Sequence, residues 1–107
     1  MKSTSTFLPL LATVTVLSGC MSDQQFLASN QQAALNATTS RAKFELNCQD
    51  VTPSVLSSKV TQARVGYQHT EYTIGVRGCG KQAVYITYCL NPQTCNAIAD
   101  TARIGNQ

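Results

Sequence analysis

Between Glu71 and Cys89 the chain alternates apolar and polar residues on both sides of Gly78-Cys79-Gly80. That pattern leaves it little choice but a β-hairpin. With Cys79, Gly80 and Lys81 as a three-residue loop, Val76 faces Val84, Ile74 faces Ile86 and Tyr72 faces Tyr88, so one face is apolar throughout. A two-residue loop at Cys79-Gly80 sets Val76 against Ala83 and Ile74 against Tyr85, and that match is lost. Because register follows the buried face, the three-residue loop is expected. It also places Gly75 opposite Tyr85, whose ring would cover the bare glycine backbone.

A two-stranded hairpin is marginal alone, so the chain needs a third strand and a cover. Val55-Leu56-Ser57-Ser58-Lys59-Val60 reads as the further strand, continuing toward Val65 and Tyr67 after a break. Ser40 to Cys48 supports two readings. Ala42, Phe44, Leu46 and Cys48 alternate with polar residues as in a half-buried strand. Equally, Ser40 is an N-cap type, Ala, Lys, Glu and Leu are helix formers, and Phe44 and Cys48 share a helical face. The helix is preferred, because nothing else in the chain covers the sheet as well. The Asn47–Asp50 stretch and Pro53 would end it. Asn91-Pro92-Gln93-Thr94 is turn chemistry, and the tail from Cys95 to Ile104 is either one helical turn or extended. The expected architecture is α+β: about three antiparallel strands around the 71–89 hairpin, covered by one N-terminal helix.

Five cysteines are spread over 107 residues. Setting Cys20 aside leaves Cys48, Cys79, Cys89 and Cys95, an even set that argues for two disulfides in an exported chain. No Cys-x2-Cys spacing occurs and His69 is the only histidine, so neither zinc nor any other metal or cofactor is expected. Of three connectivities, Cys89 with Cys95 across the Asn-Pro turn and Cys48 with Cys79 at the hairpin tip is preferred. In the loop-entropy picture the long bridge contributes about 3.7 kcal/mol and the short one about 2.3 kcal/mol. For a core this small, bridges of that size decide whether the domain folds.

The N-terminus carries an address. Lys2 precedes Phe7–Leu17, an apolar run too short to span a bilayer and placed as the h-region of an export signal. It ends in Leu17-Ser18-Gly19-Cys20, which resembles the lipobox of bacterial lipoproteins. That resemblance implies cleavage before Cys20, a diacylglycerol on its thiol and acylation of its new amine. Met21, rather than Asp, is similar to the outer-membrane sorting default. The expected plan is a signal peptide over 1–19, a lipidated Cys20 with a polar tether over 20–39, part of which reads as a marginal, frayed helix from the loosely helical spacing of Phe26, Leu27, Ala34 and Leu35, and a disulfide-stapled domain over 40–107. Cleavage removes only Lys2 of eight basic residues and none of five acidic ones, so the mature chain is nearly neutral. Its basic residues form no run, which gives nucleic-acid binding no support.

Arg41-Ala42-Lys43-Phe44-Glu45-Leu46-Asn47-Cys48, Val55-Leu56-Ser57 and Glu71-Tyr72-Thr73-Ile74-Gly75-Val76-Arg77-Gly78-Cys79-Gly80-Lys81, followed by Tyr85 and Cys89, together resemble a family of small bacterial envelope proteins, many of them lipoproteins. The resemblance covers Arg41 to Cys95 and brings no assigned activity with it. Family members often carry proline directly after the first cysteine, where this chain has Gln49.

Catalytic chemistry has thin support. His69 with Glu71 and the hydroxyls of Ser57, Ser58 and Thr70 draws a hydroxyl–His–carboxylate set on paper, and Glu71 with Asp100 a carboxylate pair. A domain this small seldom encloses a ligand-sized cavity, so the chain is expected not to be an enzyme. The alternative is a small envelope hydrolase or an inhibitor of an envelope enzyme. The preferred reading is a lipid-anchored module that binds an envelope protein or the cell wall. Its expected contact patch is Tyr67, Arg77 and Tyr85, on the face away from the helix.

Overall fold

The computed structural model describes residues 22–64 and 67–100. One helix, α1 (Asp23–Leu46), is followed by four strands, β1 (Thr52–Arg64), β2 (Tyr67–Gly78), β3 (Lys81–Asn91) and β4 (Thr94–Ala99). The strands form an antiparallel meander in sequence order, and α1 covers one face. The architecture is therefore α+β as expected, with four strands rather than about three. The additional strand is β4, in the segment whose form the sequence left open.

Helix α1 occupies most of the segment expected to be a tether, starting at Asp23 rather than near Ser40. Ser22 opens it with a capping box: its hydroxyl accepts from the Gln25 amide, and the Gln25 side chain accepts from the Ser22 amide. Its other end is a Schellman motif. The amides of Asn47 and Cys48 donate to the carbonyls of Phe44 and Lys43, with Asn47 left-handed at φ 53°. Buried positions recur every fourth residue at Asn30, Ala34, Thr38 and Ala42. Two of these are polar and two are alanine, so the stripe gives no hydrophobic periodicity, and only the sheet reveals it as an interface. Phe44, expected to face inward with Cys48, is instead 87% exposed.

The hairpin register also differs from expectation. β2 and β3 join through a two-residue turn, Cys79-Gly80, with both central residues at positive φ (55° and 73°), as a type I′ turn requires. Val76 therefore pairs with Ala83, Ile74 with Tyr85 and Tyr72 with Thr87. Gly75 faces Val84, not Tyr85, and its cover comes from Leu56, whose Cδ1 would lie 3.3 Å from an added Cβ. The physical reason is the helix. Its small residues lie close to the sheet, and beneath them Ala83, Thr87 and Cys89 fit where Val84, Ile86 and Tyr88 would not.

Those small residues also answer the polar side chains of α1. Thr38 donates to the Ala34 carbonyl at 2.8 Å, so the 2.6 Å contact with Thr87 has the Thr87 hydroxyl donating to Thr38. Asn30 donates to Thr70 at 3.0 Å, and Thr70 donates to the Cys89 carbonyl. Tyr72, Ile74, Val76 and Tyr85 supply the large buried side chains around this polar seam. Disulfides Cys48–Cys79 and Cys89–Cys95 tie the C-terminal end of α1 to the hairpin tip and β3 to β4.

Candidate functional site

With one face of the sheet under α1, the other is left as the candidate surface. Strand alternation puts Glu71, Thr73, Gly75 and Arg77 of β2 on the open face, beside Val84, Ile86 and Tyr88 of β3. From β4, Ile98 pairs with Ile86 and stays 45% exposed; from the β1 bulge between Val55 and Ser57, Leu56 stays 56% exposed. An apolar band thus crosses the open face, with Gly75 as its low floor. Toward the hairpin end it runs into an open hollow of 1210 Å³ that includes Leu56, Gly75, Arg77, Gln82 and Val84. The Arg77 side chain has no ion pair or hydrogen bond among the described residues, so its guanidinium is available to a carboxylate.

The three residues expected to form a contact patch do not come together. Tyr67 and Arg77 are both on the open face of β2 but ten residues apart, about 33 Å at strand rise. Tyr85 lies on the opposite face, 1% exposed under α1, where its hydroxyl donates to Glu45 at 2.8 Å. The shift in hairpin register moves it there, and its role is structural. Arg41 bonds the other Glu45 oxygen and also donates to the Ala97 carbonyl at 2.8 Å, so one network ties α1 to both β3 and β4. The Arg41 guanidinium holds the Glu45 carboxyl below the usual carboxylate value. Burial, with the Glu45 carboxylate second, pushes the Tyr85 phenol well up.

Nor does the hydroxyl–His–carboxylate set assemble as drawn. The His69 ring is 2.7 Å from the Thr61 hydroxyl across the β1–β2 pair and stacks edge-on to Tyr88 at 5.2 Å. Glu71, two residues on, is paired with Lys59 at 3.8 Å. Thr70 is buried on the helix side, and Ser57 pairs with Thr73. Asp100 aligns with Val84, which puts it two strands across and four residues along from Glu71, about 16 Å away. His69 therefore serves as a cross-strand partner in a shallow, solvated setting.

Leu56, Ile86 and Ile98 escaped the sequence reading. For Ile86 the signal was present, since the alternation marked it, but the expected register turned it inward. Cys20 lies outside the described residues. Among the described residues no helix is long and apolar enough to cross a membrane. The site thus defines an α+β domain that uses one sheet face for its own core and presents the other. Comparison with protein-family models, with curated proteins and with solved structures finds no match to this chain.

Proposed function

We propose that the chain is a lipid-anchored bacterial envelope lipoprotein, placed in the outer membrane, whose domain binds a partner without catalysis. The partner is another envelope protein or the cell wall. The observation that carries the binding part is the open face: an apolar band through Leu56, Ile86 and Ile98, bordered by an unpaired Arg77, on a domain whose other face is fully used. A monomer gains nothing by leaving such a band in water, whereas a partner with an apolar segment and a carboxylate would bury it. The lipid part rests on the Leu17–Cys20 sequence and its similarity to the lipobox.

Two experiments test the halves separately. Cys20→Ala should release the domain from the membrane fraction; retention after high-salt washing would refute the anchor. In-cell crosslinking of the intact protein should yield a discrete envelope species that disappears in Arg77→Ala/Ile98→Ala while the domain stays folded. A species indifferent to those changes would refute the open face as the binding surface. Hydrolase chemistry would have to run through His69, so a hydrolytic activity abolished by His69→Ala in a folded domain would replace this proposal.

A further inference from the structure

The start of α1 fixes how the domain stands on its membrane. Only Met21 separates Cys20 from the capping residue Ser22, and the helix is formed from Asp23. Three residues of extended chain span at most about 10 Å. The α1 N-terminus therefore cannot stand off from an acylated Cys20 as a tethered domain would.

The same end of the molecule carries an apolar cluster. Phe26, Leu90 and Pro92 line an open hollow of 470 Å³ between the first turns of α1 and the β3–β4 turn. Leu90 is 50% exposed, and nearby Tyr67, which opens β2, is 60% exposed. Of the hollow's lining only Asp23 carries a charge, the remaining polar groups being hydroxyl and amides, among them Asn30, Gln68 and Asn91. The buried Oδ1 of Asn30 has no partner among the described residues. It calls for a polar neighbour such as water, not for hydrocarbon. Apolar tips, a tyrosine and the exposed amides of Gln68 and Asn91 together suit the headgroup layer, where amphipathic aromatic rings settle.

We infer that this end, through Phe26, Tyr67, Leu90 and Pro92, docks onto the lipid interface of the bilayer that holds Cys20. The inference rests on the lipoprotein reading above and gives it a geometry. α1 and β2 both run away from the docked end, α1 for about 36 Å at helical rise. Their far ends meet at the hairpin tip, where Lys81 donates to the Leu46 carbonyl and Cys48 joins Cys79. The open hollow beside Arg77 is thereby held at the membrane-distal end, facing outward at a fixed height.

The protein contains no tryptophan, so a single introduced one reports alone. The acylated full-length lipoprotein, purified from the producing bacterium, is reconstituted into phosphatidylcholine vesicles with or without brominated acyl chains. Leu90→Trp, with Tyr67→Trp as a second reporter should the first not fold, is expected to shift its emission to the blue and to lose most of it to the brominated lipid. Gln82→Trp at the hairpin end is expected to do neither. If the protein floats with the vesicles but the Leu90 and Tyr67 reporters keep their emission, the anchor stands and the docking is wrong. A blue shift without bromine quenching means that a second protein copy covers the patch, which also overturns it. Quenching of Gln82→Trp would mean that the domain lies flat. Failure to float with the vesicles overturns the lipoprotein reading itself.

Discussion

The Thr38–Thr87 pair under α1 offers a sharp test of how this helix is held. Both residues are fully buried, and the proton order is fixed: Thr87 donates to Thr38, which donates to the Ala34 carbonyl. Thr38→Val keeps the shape and nearly the same helix propensity. It strands the Thr87 hydroxyl with no acceptor, a penalty of about 1–3 kcal/mol. The Ala34 carbonyl suffers less, since the helix ladder still uses it. Thr87→Val leaves Thr38 bonded to Ala34, so one neutral hydrogen bond worth about 1 kcal/mol is exchanged for a buried methyl of similar value. The double valine variant strands nothing and should fall within about 1 kcal/mol of the parent. Urea unfolding of the four proteins, read as a double-mutant cycle, should therefore give strong non-additivity, with Thr38→Val the least stable member. If the two single costs simply add, the hydroxyls are not a coupled pair and the seam does not hold α1 in this way.

Other expectations follow from the same contacts. An added Cβ at Gly78 would sit 2.5 Å from the Asp50 carbonyl oxygen, so Gly78→Ala should cost about 1–3 kcal/mol in urea unfolding, whereas Gly75→Ala displaces only the tip of Leu56 and should cost less. Loop entropy makes the Cys48–Cys79 bridge, with a separation of 31, worth more than Cys89–Cys95, with a separation of 6, by about 1.4 kcal/mol. Cys89 is fully buried, however, so if removing the Cys89–Cys95 pair proves the costlier change, packing outweighs chain entropy here. Burial raises the phenols of both Tyr72 and Tyr85. Near pH 10 the unfolded chain gives up these protons while the fold retains them. Stability should then fall as pH rises beyond that value, Tyr85 contributing up to about 1.4 kcal/mol per pH unit and Tyr72 adding in the same direction, and Tyr85→Phe should flatten the slope in urea midpoints.

The hairpin, the α+β class and the two disulfides were legible because each has a local signature: alternation around Gly-Cys-Gly, turn residues at Asn91-Pro92, and an even set of four cysteines in a short chain. The register was not legible, because the sequence offers two apolar faces on β3 and the choice between them belongs to the helix. Matching Val76 with Val84 looks best for two strands alone. Placing Ala83, Thr87 and Cys89 beneath α1 is better once Ala34, Thr38 and Ala42 have to approach. Tyr85 was misplaced for the same reason, since a one-residue slip exchanges the two faces of a strand. The helix was legible only in its last turns, from Ser40; its first four turns were hidden because the buried stripe contains Asn30 and Thr38, which satisfy partners on the sheet rather than follow a hydrophobic period.

That concealment has a consequence for how the domain holds together. A polar helix with no apolar stripe gains little from forming alone, so α1 depends on the sheet for its stability. The sheet in turn leaves Tyr72, Ile74 and Val76 in water unless α1 is present. Neither half is a stable unit, and Cys48–Cys79 joins them at one end while Asn30, Thr70 and the Tyr72–Leu27 hydrogen bond join them at the other. The second of these junctions is next to Ser22. Should Cys20 anchor the chain, the junction closest to the bilayer is thus one held without a covalent link, by hydrogen bonds and the packing of Leu27, while the covalent staple sits at the distal end beside the Arg77 hollow. Ser22→Ala, which removes one half of the capping box, should accordingly loosen the membrane-facing turn of α1 by about 1 kcal/mol. Hydrogen exchange should register the change at the first turn of α1 and not at Lys43–Leu46. Equal loss of protection at both ends would mean that α1 opens as one unit and that the two junctions are not independent.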